Sequence, residues 1–161
     1  CAETLFNEYS KEHNLNIKIA RIFNTYGPYM AIDDGRVISN FINQSIFDKD
    51  LTVYGDGNQT RSFQYISDLV DGLIKLMDSD KKCKFPVNIG NPHEITINEL
   101  ALIIIKITNS KSKLVYKDLP DDDPMRRKPD ISLALRNLNW KPKININSGL
   151  AKTIEYFKNI R

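Results

Sequence analysis

Three arginines stand where their chemistry is easiest to use. Arg61 closes the turn in YGDGNQTRSFQYISD (Tyr54 to Asp68), and Arg126 and Arg127 follow three aspartates in DDDPMRRKPDI (Asp121 to Ile131). A planar guanidinium offers paired, charge-assisted donors to a pyrophosphate or a carboxylate. Ahead of Arg61, Gly55 and Gly57 free the backbone to approach a ligand, and Tyr54 offers a ring face to a base. A solvated hairpin arginine and a core tyrosine fit the same spacing, and spacing alone favours these plainer readings. For Arg126 and Arg127, a Pro-bounded loop suits function, while Asp121, Asp122 and Asp123 suit a solvated charge run. Asn24 and Thr25 directly follow a strand-like segment and precede Gly27-Pro28, where open α/β sheets bind ligands. A turn stabilised by the Asn side chain explains them as well.

Other chemistries lack residues. There is no Walker loop, no GxGxxG and no CxxC, and neither His13 nor His93 has a partner suggesting a triad or a metal site. The net charge of +3 is scattered over 161 residues, without the basic stripe of a nucleic-acid binder. LALIIIKI (Leu100 to Ile107) is far shorter than the roughly 20 residues of a membrane span and contains Lys106, so no membrane segment is expected in this chain. Cys1 and Cys83 lie far apart, which points to a reduced, cytoplasmic compartment.

The elements that must position these residues follow from periodicity. Ala2, Leu5, Phe6 and Tyr9 share one helical face over residues 1–13, and nothing before them can serve as an N-cap. A helix entered in mid-stride is expected of the later part of something longer. NIKIARIF (Asn16 to Phe23), LTVY, SFQY, FPVNIG and KLVYKD read as strands, and Asn24 to Gly35 and Leu119 to Pro129 as loops. Helices are expected from Val37 to Phe47, after a Ser67 or Asp68 cap with Leu69, Leu73, Leu76 and Met77 buried, and from the Thr96/Glu99 capping box to Thr108. Two more are expected at Ile131 to Leu138 and Ser148 to Lys158. Strands alternating with helices give an α/β class, though the strands are few and short for an independent doubly wound sheet.

Taken together, ARIFNTYGPYMAIDDGRVISNF, LTVYGDGNQTRSFQYISDLVDGL, VNIGNP, DDPMRRKPDI and LNWKP resemble, in order and across nearly the whole chain, the C-terminal half of the UDP-glucuronate decarboxylases. These UDP-xylose synthases are extended short-chain dehydrogenase/reductases acting on nucleotide sugars. RIFNTYGP and YGDGNQTR are shared more loosely by epimerases and dehydratases, whereas DDGRVISNF and RRKPDI are more particular to decarboxylases. The resemblance implies the C-terminal part of a Rossmann-type fold with the small substrate-binding lobe. Residues 1–161 would form one region in which the end of the Rossmann domain interleaves with that lobe, the N-terminal NAD-binding half lying elsewhere. By the same resemblance Arg61 clamps the pyrophosphate of a UDP-sugar, with Val53 and Tyr54 near the base. Asn24, Tyr9 and Arg126 also fall on the substrate side, Thr25 and Arg36 on the side of the cofactor NAD, and Arg127 assists decarboxylation. Oxidation at C4 of the glucuronosyl ring would make a β-keto acid that loses carbon dioxide, and positive charge would stabilise the resulting enolate. A homodimer is implied for the complete enzyme. The Tyr-x-x-x-Lys pair of the family is absent from these residues, so the chain alone is expected to be inactive. A non-catalytic nucleotide-sugar-binding or assembly remnant, and a related 4,6-dehydratase or epimerase, are the alternatives.

Overall fold

The computed structural model describes residues 1–79, 86–118 and 126–160. The chain begins with α1 (Ala2–Glu12), β1 (Ala20–Ile22) and β2 (Thr25–Tyr26), then α2 (Val37–Ile46) and β3 (Leu51–Tyr54). After the glycine turn come β4 (Thr60–Ser62), β5 (Gln64–Tyr65) and α3 (Ile66–Asp78). The remainder runs β6 (Val87–Ile89), β7 (Glu94–Thr96), α4 (Ile97–Thr108), β8 (Leu114–Lys117), β9 (Arg126–Arg127), α5 (Ser132–Leu138) and α6 (Ile146–Asn159). Pairing is mostly parallel: β1 with β6, β2 with β5, β3 with β8, and β4 with β9; β7 pairs antiparallel to the other edge of β4. Parallel neighbours require helical crossovers, which the intervening helices supply. The α/β class expected from the alternation is therefore observed.

Two cores result. One gathers Phe41 and Ile42 of α2, Leu51 and Val53 of β3, Leu100 and Ile104 of α4, and Leu150, Ile154 and Phe157 of α6. Such complete burial is worth about 1.5–3 kcal/mol for each large apolar side chain. The other packs Leu69 and Leu76 of α3 against Val87 and Ile89 of β6, Leu138 of α5, and Trp140. The Trp140 indole N–H donates to the Asp68 carbonyl at 3.0 Å, which satisfies the polar end of a fully buried ring.

The helix ends explain which boundaries the sequence gives away. At α4, Thr96 Oγ1 accepts from Glu99 N at 3.1 Å and the Glu99 carboxylate accepts from Thr96 N at 2.9 Å, the expected capping box. At α3 neither Ser67 nor Asp68 is the N-cap: β5 runs directly into the helix, Tyr65 holds the cap position, and Asp68 Oδ2 accepts from Ile144 N at 3.0 Å. Met77, expected inside, is 76% exposed, and Gly72 takes a buried place instead because a Cβ there would meet Ile89 and Trp140. α6 starts before the expected Ser148, because Asn145 Oδ1 accepts from Ser148 N at 2.9 Å and caps the helix. Of the expected loops, residues 24–35 contain β2 and residues 119–129 contain β9. Residues 119–125 and Phe85 lie outside the described residues.

Candidate functional site

β4 carries Arg61 into the middle of its sheet, and the side chain is 8% exposed. Burying a guanidinium demands partners, and its Nη1 donates to the Thr60 carbonyl at 2.8 Å. Two cavities meet at this arginine. The first, 190 Å³, is lined by Asn24, Thr25, Arg36 and Phe63 among others. The second, 210 Å³, is lined by Thr52, Tyr54, Gln59 and Ile97 among others. Arg61 and Val37 belong to both.

Val37 is the first residue of α2, whose N-cap, Arg36, makes no side-chain capping bond. The first backbone N–H groups of a helix lack intrahelical acceptors, and the helix dipole adds positive potential there. The junction of the two cavities thus combines a buried guanidinium with a helix N-terminus, an arrangement suited to an anion. The compartments on either side can take what the anion joins.

Most residues singled out from sequence converge here. Asn24, Thr25 and Arg36 line the first compartment, Tyr54 lines the second, and Arg61 lies between them. Thr25 Oγ1 donates to the Phe23 carbonyl at 2.9 Å and accepts from Gln64 Nε2 at 3.0 Å. The Arg61 Cα is the register partner of Arg127 on β9, and Thr60 that of Arg126, so both arginines of RRKPDI lie on the strand beside Arg61.

Two candidates lie apart. The Val53 side chain is fully buried in the core, because the two-residue period of β3 turns it away from Tyr54. Tyr9 sits half-exposed on α1 with its ring centroid 5.2 Å from that of His13, and it lines neither compartment. Gly57 of the glycine turn also has a different task. Gly57 has φ 73°, and a Cβ there would lie 2.1 Å from Asn98 Oδ1, so its lack of a side chain serves packing against α4 rather than a ligand.

Sequence reasoning missed Gln59, Gln64 and Asp34. Gln59 is 5% exposed and its Nε2 donates to the Tyr54 carbonyl at 2.6 Å, holding the turn against the second compartment. Gln64 is 1% exposed, and its Nε2 donates to Thr25 Oγ1 at 3.0 Å and to the Ile89 carbonyl at 2.9 Å; its Oε1 has no partner among the described residues. Asp34 is bound by Arg36 and Ser39. Burial pushes its carboxyl up, but the bonds from Ser39 and Arg36 outweigh that and hold it below the usual carboxylate range. Burial, with Tyr65 and Asp68 nearby, pushes the Tyr26 phenol well up, so it stays neutral in the wall of the first compartment. Only the Asp-Gly-Arg spacing of residues 34–36 hinted at any of these.

The mostly parallel strands joined by helical crossovers define an α/β protein of Rossmann type, and the comparisons with known proteins agree. UDP-glucuronic acid decarboxylase 1 of Arabidopsis thaliana is 50% identical over 158 residues, covering 98% of this chain and 36% of that protein. UDP-glucuronic acid decarboxylase 1 of Danio rerio is 49% identical over 156 residues, covering 97% and 37%. The solved UDP-glucuronic acid 4-epimerase from Bacillus cereus, in complex with UDP-glucuronic acid and NAD, superposes with a TM-score of 0.90 at 29% identity, covering 99% of this chain and 50% of that one. The model of the GDP-mannose 4,6 dehydratase family matches residues 1–153, and the chain belongs to that family. It spans well under half the length of the two decarboxylases it matches. The resemblance to the UDP-glucuronate decarboxylases read from the sequence motifs is borne out.

Proposed function

We propose that this chain supplies the UDP-sugar-binding portion of an NAD-dependent enzyme that decarboxylates UDP-glucuronate to UDP-xylose. The observation that carries the reading is Arg61, buried at the meeting point of two compartments beside the N-terminus of α2. In this reading the diphosphate lies at Arg61 and the first turn of α2. The base occupies the compartment of Tyr54 and Gln59, with Val53 contributing backbone only. The sugar extends towards Asn24, with Tyr9 and Arg126 as further substrate contacts. Arg127, whose Cα is in register with that of Arg61, is read as the source of the positive charge that stabilises the enolate formed as carbon dioxide leaves.

The residues present suit a dinucleotide. The exposed side chain of Arg36 lines the first compartment, and Thr25 lines it too, with an oxygen held in place by Gln64. NAD bound there would supply reversible hydride transfer at C4 of the sugar. Thr25 and Arg36 would orient it, while the protein's own contribution is placement and charge.

Residues 1–161 are read as the end of a Rossmann domain, containing the Trp140 core, interleaved with a substrate lobe containing the Phe41–Leu100 core. The complete enzyme is read as a cytoplasmic homodimer joined through α1, which buries none of its residues and exposes Leu5, Phe6 and Tyr9. Among the described residues no helix is long and apolar enough to cross a membrane.

The test is to incubate the complete enzyme with UDP-glucuronate and NAD and identify the product sugar by NMR. UDP-xylose is expected. UDP-galacturonate would make the protein an epimerase, and turnover of a neutral sugar nucleotide to a 4-keto-6-deoxy product would make it a dehydratase.

A further inference from the structure

At the head of α2 the segment Asp34-Gly35-Arg36 folds back on itself. Gly35 adopts φ 80°, in the left-handed region that favours glycine. The turn places the Asp34 carboxylate, 13% exposed, against Arg36. Oδ1 accepts from Arg36 N at 3.0 Å, while Oδ2 accepts from Nε at 2.7 Å and pairs with Nη2 at 2.6 Å. Ser39 Oγ lies within hydrogen-bonding reach of both the Asp34 carboxylate and the Arg36 carbonyl, so the first turn of α2 joins the same unit.

The arrangement needs a reason. A cation at a helix N-terminus meets the positive end of the dipole, and α2 has no acid in its first turn. Left alone, Arg36 would be repelled from the cleft and free to sweep through solvent. Asp34 offsets that repulsion and uses one edge of the guanidinium. Nη1 carries no hydrogen bond among the described residues, and Arg36 still lines the first compartment. The side-chain freedom that an unpaired arginine would lose on binding a ligand has here been lost in advance.

We propose that Asp34 is a positioning residue: by fixing the Nε–Nη2 edge of Arg36 it presents the opposite edge of that guanidinium to an anionic group of the dinucleotide. The proposal rests on the reading of Arg36 as the cofactor-side cation. Asp34 itself touches neither cofactor nor substrate and acts only through Arg36.

The experiment is calorimetric titration of NAD, and separately of UDP, into the cofactor-stripped complete enzyme carrying Asp34→Asn, Arg36→Ala, or both. Asp34→Asn should raise the NAD dissociation constant about tenfold, the scale of one lost charge-assisted hydrogen bond. UDP affinity should be unchanged, because Arg61 does not depend on this clasp. Arg36→Ala should add little in the Asp34→Asn background, since the two changes remove one interaction. Independent, additive losses would overturn the proposal, and so would an equal loss of UDP affinity, which would make the role merely structural. If Arg36→Ala weakens NAD binding and Asp34→Asn does not, the positioning role alone fails. If Arg36→Ala leaves NAD binding unchanged, the reading of Arg36 fails and the proposal with it. Should Asp34→Asn not fold, Ser39→Ala takes its place: a threefold weakening, roughly that of one neutral hydrogen bond, is expected, and an unchanged NAD affinity would overturn the role.

Discussion

Replacing Arg61 tests the junction of the two compartments. Arg61 is 8% exposed, so its charge acts in surroundings poorer in water than a surface arginine's, and its planar fork can bridge two phosphate oxygens. A hydrogen bond to a charged group contributes roughly 1.5–3 kcal/mol. At about 1.4 kcal/mol per factor of ten, Arg61→Ala should weaken UDP binding by the complete enzyme some ten- to 150-fold. Arg61→Met keeps the buried stem and should lose nearly as much, which separates the charge from the packing. Arg61→Lys keeps a point charge without the fork and should fall between wild type and alanine. The assay is calorimetric titration of UDP, with uridine as the control lacking phosphates. Uridine should bind all four proteins alike. An unchanged UDP dissociation constant, or an equal loss of uridine affinity, would refute the clamp.

Two further predictions concern the scaffold. Trp140→Ala should destabilise the protein by about 3–5 kcal/mol, the cost of emptying a large aromatic site, because the ring is fully buried and its N–H ties Asp68 to the second core; denaturant unfolding measures it. The capping box should give a pH signature. Bonds from the Thr96 backbone and side chain hold the Glu99 carboxyl below its ordinary 4.5, so its contribution is complete above that value and is lost as pH falls through the lower folded value. The difference in melting temperature between wild type and Glu99→Ala, clear at neutral pH, should therefore shrink progressively as pH falls below 4.5 and through the lower folded value.

How far this molecule is legible in its sequence depends on the range of the interactions involved. α4 is readable because Thr96, Glu99 and the periodic Ile97, Leu100, Ala101 and Ile104 settle it locally. The start of α3 is not, because the partner that claims the Asp68 carboxylate is Ile144, 76 residues away. Local alternation alone separates Val53 from Tyr54: with a two-residue period both side chains cannot face one base. Arg61 and the pair Arg126-Arg127 are each visible in the sequence as candidates, but the register of Arg61 with Arg127 across β4 and β9 is a long-range pairing that no spacing encodes. Gln59 and Gln64 were overlooked because a glutamine in a polar turn or a two-residue strand carries no periodic signal, and only burial reveals its hydrogen bonds as structural.

If a nucleotide sugar binds in the divided cleft around Arg61, a crystal structure of the complete enzyme with UDP-glucuronate will show diphosphate density against Arg61 and the first turn of α2, with uracil in the compartment of Tyr54 and Gln59. Density instead in the separate 370 Å³ cavity beside Asn91, His93 and Lys143, on the other side of Phe63, would contradict that placement.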